Sequence, residues 1–273
     1  RELGYLHGEA VALDKLSLAV GLNGDPIRAI DAVLRAARIF EDLEDYDNLS
    51  RIYGGYGYGV KRRDMDNANK YMRMGISIAE KHDIRQNLTT LYDNYGILKI
   101  LEEQADSAHY YYTRALDMKR DLKDSTGIPY SLNKLAELAA DHGQFDKAFE
   151  YLAESDMIRN LEEGEYGRAE NMVHRADVNK DMKDYDTAIQ YYNLALEKGK
   201  TLDFPYLVQF CYQQIAEIYE MTENYSAALE HQKQYMEYKE KELNSDRQEK
   251  IAELEIAYET ERKDREISEK NMA

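Results

Sequence analysis

Tryptophan is absent from the 273 residues, cysteine occurs once and proline three times. Each scarcity excludes something. The single cysteine, Cys211, rules out an internal disulfide, and it fits a cytosolic or a periplasmic address equally. Three prolines and 15 glycines leave long stretches without a helix breaker, as long helices require. No apolar run reaches the roughly 18–20 residues of a membrane span. Bases are outnumbered, 36 against 53 acids, for a net charge of −17. A nucleic-acid partner for this segment is excluded on that ground, because phosphate contacts need a basic face. The chain opens at Arg1 rather than Met, with no signal-peptide pattern. It reads as a piece of a longer product, so missing targeting segments say little about location.

What is present points to an ordered fold. The chain is 43% hydrophobic and 33% charged, enough apolar content for a core and too much for a disordered tail. The large aromatics are mostly the 24 tyrosines, which bring a polar tip with each ring.

A repeat emerges by stepping in forties from Ala148. The positions reached are Ala68, Ala108, Ala188 and Ala228. Two residues before each alanine stand Asp66, Asp106, Asp146, Asp186 and Ser226, residue types that suit a helix N-cap. Four after stand Met72, Tyr112, Leu152, Tyr192 and Gln232, and seven after Gly75, Ala115, Ser155, Ala195 and Tyr235. A weaker copy at 23–40 has Asp25 as cap, Pro26 at the first helical position and Ala29 at the packing position. Each unit carries an upstream helix as well. In PYSLNKLAELAADHG (129–143), Leu132, Leu135, Ala136 and Ala139 fall on one face. A unit is therefore helix, short turn, capped helix, and it buries its apolar face only by stacking on its neighbours.

The pattern resembles the tetratricopeptide repeat (TPR). The residues that carry the resemblance are Gly96, Ala136, Ala176 and Ala216 on first helices, Gly143 at a turn, Phe145 or Tyr185 before the second helix, then Ala148 and Ser155. It covers about residues 5–240 and implies an all-α, right-handed α-solenoid of about six TPR-like helix pairs. The period of forty exceeds the usual repeat of about 34 residues, so the helices are lengthened. Residues 1–240 form the expected superhelical array, and 241–273 a charged C-terminal helix that continues the last pair or follows a break near Asn244-Ser245. Heptads anchored on Ile251, Leu254 and Tyr258 next meet Glu261 and Arg265, which does not support a stable coiled coil. The segment at 248–268 is also similar to the charged helix of bacterial proteins whose periplasmic TPR array leads into a transmembrane helix and a histidine kinase or helix-turn-helix output domain. That resemblance implies a periplasmic sensory domain of an inner-membrane signalling or transcription-regulatory protein, membrane-anchored through a downstream segment, with a possible homodimer through the last helix. The alternative is a cytoplasmic TPR scaffold or peptide-responsive regulator.

Catalytic chemistry has no foothold. No two of the six histidines pair with each other or with Cys211 at metal-ligand spacing, and the carboxylates are too evenly spread to single out an acid and a base. Neither an enzyme, a cofactor nor a metal is expected. YGGYGYG (53–59) looks like a phosphate loop, but no strand precedes it, and such loops join strand to helix. In register it lies within a first helix, where its glycines serve close packing or mark a soft spot open to a ligand. Binding is expected on the groove that first helices line in TPR arrays. The family's groove positions, carried over by register, are Tyr53 and Gly57, Asp93 and Ile97, Asn133 and Glu137, Asp177, then Gln213 and Glu217, with Asp141, Asp181 and Glu220 beside them. Acids stand where the family's carboxylate clamp needs Lys, Arg and Asn. The groove is therefore expected to be acidic toward the C-terminus and to take a cationic or neutral peptide or protein.

Overall fold

The computed structural model describes residues 2–22, 25–161 and 164–241; the expected helix beyond 241 lies outside the described residues. The chain is an all-α solenoid of helix hairpins. Its helices are α1 (Glu2–Leu22), α2 (Pro26–Asp42), α3 (Tyr46–Val60), α4 (Met65–Lys81), α5 (Arg85–Leu101), α6 (Ala105–Leu122), α7 (Gly127–Asp141), α8 (Phe145–Leu161), α9 (Glu165–Asp181), α10 (Tyr185–Thr201) and α11 (Pro205–Met221). A twelfth, α12, occupies 225–241. Contacts divide the chain into two compact units, Arg1–Leu161 and Glu162–Ala273. The first holds four hairpins, α1/α2 to α7/α8; the second holds α9/α10 and α11/α12.

The alanines counted out in the sequence are where the hairpins close. Ala29, Ala68, Ala108, Ala148, Ala188 and Ala228 are at most 3% exposed. The large residues one turn later, Met72, Tyr112, Leu152 and Tyr192, are at most 2% exposed, and each extends its hairpin's core. Gln232 of the last hairpin is exposed. In α12, Tyr235 and Tyr238 still pack against the Cys211, Tyr212 and Ile215 cluster of α11.

The expected caps lie two residues too late. In the second hairpin the cap is Asp64, whose side chain accepts from the Asn67 amide at 3.0 Å. Asp184 does the same for Thr187 at 3.2 Å. Asp66, Asp106, Asp146 and Asp186 occupy the first helical turn instead, where a negative charge is favoured by the helix dipole rather than by a capping bond. Asp25 is the one cap placed correctly from the sequence, accepting from Arg28 N at 3.1 Å.

Turns are more regular than the sequence suggests. Glu44, Asp83, Glu103, Lys123, Gly143, Lys183, Asp203 and Glu223 all have φ between 50° and 68°. From Asp83 to Gly143, and again from Lys183 to Glu223, these left-handed residues return every twenty positions. The next amide bonds back across the helix end, as in Gln104 N to Lys99 O and Gln144 N to Ala139 O, both 2.8 Å. This closure satisfies orphan carbonyls and reverses the chain. Glycine is the natural occupant of such a position, yet it stands only at Gly143 among these eight.

The glycine-rich run forms part of α3 without breaking it. Its glycines do two different things. A Cβ on Gly57 would lie 2.8 Å from Ala68 O and 2.9 Å from Met72 N, and one on Gly75 of α4 would lie 2.7 Å from Ser50 O. Those two glycines let the α3 and α4 backbones touch. Gly55 and Gly59 have nothing within 4 Å of a built Cβ. Gly55→Ala is expected to raise stability by up to ~1 kcal/mol through helix propensity alone. Gly57→Ala is expected to lower it by about 1–3 kcal/mol, since backbone atoms must move aside. Urea unfolding of both variants, at unchanged m-value, checks the contrast.

Candidate binding face on the odd-numbered helices

Within the first unit, α1 touches α3 and α3 touches α5, while no even-numbered helix makes a comparable contact with the next even one. Along α1, α3 and α5 the odd helices therefore form the closer-packed side. A polar ladder links them. Arg51 of α3 donates to Asp14 of α1 at 2.9 Å. Asn87 of α5 donates to Ser50 of α3 at 2.9 Å. Ser131 of α7 donates to Asp93 of α5 at 2.8 Å. The second unit has its own rung, where Lys180 of α9 donates to Gln214 of α11 and pairs with Glu217, both at 2.8 Å. Of the 14 buried polar residues among those described, 11 stand on odd helices. A ladder of this kind sets helix register, because a slip would leave buried polar groups without partners.

The centre of the first unit's ladder is ionic. Lys119 of α6 donates to Asp93 and, at 2.9 Å, to Ser131. The side chains of Lys119 and Asp93 are 5% and 3% exposed. Burial pushes the Asp93 carboxyl above the usual carboxylate range, and Lys119 and Ser131 pull it partly back. A second triad joins α4 to α5. There Lys99 donates to Asn69 at 2.9 Å and to Glu102 at 2.7 Å, while Asn69 also donates to Glu102 at 2.7 Å.

The residues expected to line the groove fall into distinct environments. Tyr53 is nearly buried, its ring 5.8 Å from Tyr71, and burial raises its hydroxyl pKa. Gly57 faces α4. Asp93 and Asn133 are each 2% exposed, behind the surface. Ile97 packs against the Leu132 and Leu135 cluster. Glu137 reaches the surface and takes a 2.8 Å bond from Lys134. Tyr112 has its ring where Gly96 has no side chain, and Glu137 and Asp93 are the two acids whose charge acts on its hydroxyl. Burial and those two charges push the Tyr112 hydroxyl up. In the second unit, Asp177 accepts from the Tyr192 hydroxyl and Glu217 pairs with Lys180. Gln213 is exposed.

The sequence reading missed the lysines. Lys119 sits on a second helix, inside a run that reads as a solvated charged face. A signal was available in register. Eleven residues after the packing alanines of the second to fifth hairpins stand Ala79, Lys119, Arg159 and Gly199, and Ala79 and Gly199 are buried. A lysine at a small-residue position is a charge in the interior.

Cys211 is fully buried, and burial pushes its thiol up to about 12, so it carries no nucleophilic thiolate. Among the described residues no three His, Cys, Asp or Glu side chains are grouped to hold a metal ion. No described helix is long and apolar enough to cross a membrane.

No protein-family model matches the chain, and no curated protein matches it in sequence. Solved structures do match its backbone. The apo form of RapI is 15% identical with a TM-score of 0.68, over 87% of this chain and 85% of that one. A signal transduction ATPase with numerous domains and a tetratricopeptide repeat sensor, from Pyrococcus horikoshii, is 15% identical with a TM-score of 0.67, over 85% of this chain and 36% of that one. The Rap conjugation gene regulator of the plasmid pLS20, solved with a Phr peptide, is 16% identical with a TM-score of 0.62, over 88% of this chain and 62% of that one. The chain thus spans less than two thirds of the latter two. At such identities the likeness is one of fold, and that fold is the TPR-like helical repeat.

The ionic centre has a measurable consequence. Lys119→Met leaves Asp93 buried beside Ser131 without its cation and is expected to cost about 3–5 kcal/mol at neutral pH. An acid whose folded-state pKa is raised loses stability as pH rises through that range and regains it on acidification. The variant's deficit should therefore shrink at mildly acidic pH, where Asp93 takes a proton. Asp93→Leu combined with Lys119→Met should lie closer to the parent than Lys119→Met alone. Urea unfolding of the three proteins at both pH values tests this, and a pH-independent deficit would contradict the assignment.

Proposed function

We propose that the chain is a non-catalytic, peptide-binding regulator that works through its odd-helix face. The observation that carries this reading is the set of polar side chains exposed on odd helices, Asp141 on α7, Asp181 on α9, and Gln213 and Glu220 on α11. An extended peptide has backbone donors and acceptors that need partners wherever it is desolvated, and such a face offers them at successive hairpins. The fold likeness to a Rap regulator solved with a Phr peptide supports the reading, as does the likeness to a TPR sensor.

The ligand proposed is a neutral or cationic peptide or protein segment. Asp181 and Glu220 are exposed on the second unit's odd helices and Asp141 on the first's. The pairing of Asp93 with Lys119, Glu137 with Lys134 and Glu217 with Lys180 reduces the negative field, which widens the range toward neutral ligands. Residues 241–273 are proposed as the link to an output partner or a second copy. The same array could serve as the periplasmic sensor of a membrane-anchored protein, but nothing in the described helices is particular to that arrangement. Fusing the chain's parent protein to a reporter active only outside the cytoplasm separates the two addresses.

A panel of labelled short peptides, matched in length and differing in charge, tests the main reading by fluorescence polarisation. Neutral and cationic members are expected to bind more tightly than anionic ones. Gln213→Ala, at an exposed position, is expected to weaken binding about tenfold, or ~1.4 kcal/mol, without altering the thermal midpoint. Equal binding of acidic and basic peptides would refute the charge argument, and no binding by any member would refute the peptide reading.

A further inference from the structure

The first unit contains a cavity of about 330 Å³ among α1, α2, α3 and the turn after α3. That volume is at the low end of small-ligand pockets, which run from about 300 to 1,000 Å³. Leu18, Pro26, Ala29 and Val60 give it apolar walls. Gly55 and Gly59, one turn apart on α3, line it too, and a Cβ on either would meet nothing within 4 Å. Packing does not call for these two glycines, and each weakens the helix that carries it. Their effect is to leave the space open and to bring the α3 backbone to its surface.

Among the described residues, the one cation that lines the cavity is Arg63. Lys61, Arg62 and Arg63 are the only three consecutive bases in a chain of net charge −17. Lys61 is occupied locally, with its ammonium 3.4 Å from the centre of the Tyr58 ring. Arg63 lines the cavity and donates once, from Nη1 to Gly21 O at 3.0 Å. A guanidinium presents five N–H donors in a planar fork, so several remain for a carboxylate. Asp64 also lines the cavity, but its two oxygens take bonds of 3.0 and 2.6 Å from Asn67 as the cap of α4.

We infer that this cavity binds a small anionic amphiphile, an apolar chain ending in a carboxylate, with the chain between α1, α2 and α3 and the carboxylate on Arg63. The volume suits a short chain and not a folded partner, and Arg63 selects the charge, because its fork has donors to spare while the Asp64 carboxylate is engaged by Asn67. The inference does not rest on the peptide-binding reading.

Calorimetric titration of the whole chain with octanoate, octanamide and octylammonium tests the inference. Octanoate is expected to bind at least about tenfold more tightly than the other two. Arg63→Gln should remove most of that preference and leave octanamide binding unchanged. Gly59→Leu, which places a side chain in the cavity, should abolish binding of octanoate with helix content retained. If Gly59→Leu does not fold, the exposed Arg63→Gln decides alone. Equal binding of octanoate and octanamide, or octanoate binding untouched by either variant, overturns the proposal. Binding of a tripeptide with a free C-terminal leucine more tightly than octanoate overturns the small-molecule assignment.

Discussion

Everything in this fold depends on how closely the two helices of a hairpin approach. Each hairpin has an alanine at the same point, from Ala29 to Ala228, almost wholly buried. In the second hairpin Gly57 and Gly75 bring backbone to backbone. Small residues at the crossing set the interhelix distance, and large ones one turn later, such as Tyr112 and Tyr192, fill the space toward the neighbouring helix. A larger side chain at the crossing would splay the hairpin and open the seam to the next one. The repeat is thus a packing rule before it is a sequence pattern.

Burial along the seams between hairpins is mixed rather than purely apolar. Lys119 lies between Asp93 and Ser131, and Lys99 between Asn69 and Glu102. Such groups add little net stability over an apolar equivalent, but they punish a misaligned neighbour. Alanine-rich helices of nearly equal length offer several registers of similar apolar burial. The polar ladder at Asp14–Arg51, Ser50–Asn87 and Asp93–Ser131 distinguishes among them. The odd helices consequently carry most of the buried polar groups that register the hairpins, so a ligand on that side would lie next to groups that couple one hairpin to the next.

The glycine-rich stretch of α3 shows how one motif divides into separate roles. Gly57 answers to α4, while Gly55 and Gly59 answer to a cavity. From the sequence these residues are equivalent, because helical register says which face a residue is on but not what stands opposite. The same limit hid the turns. Seven of the eight left-handed positions carry Glu, Asp or Lys, so the glycine signal that marks a helix end appeared only at Gly143. It also shifted the caps, because Asp66 and Asp186 look as suitable as Asp64 and Asp184 until the first amide bond is seen.

The sequence by itself determined the helical hairpin, its period and its buried alanines, since these follow from local spacing repeated along the chain and need no knowledge of partners. It also placed Tyr53, Asp93, Asn133, Glu137, Asp177 and Gln213 on first helices. Only the tertiary structure decided which of these are covered and which charges are already matched. Asp93 reads as a groove acid until Lys119, 26 residues away on another helix, is brought against it. Glu217 reads as free charge until Lys180 reaches it. Pairing of this kind depends on the distance between helices that the sequence separates, and that distance is set by the packing of all the residues between them.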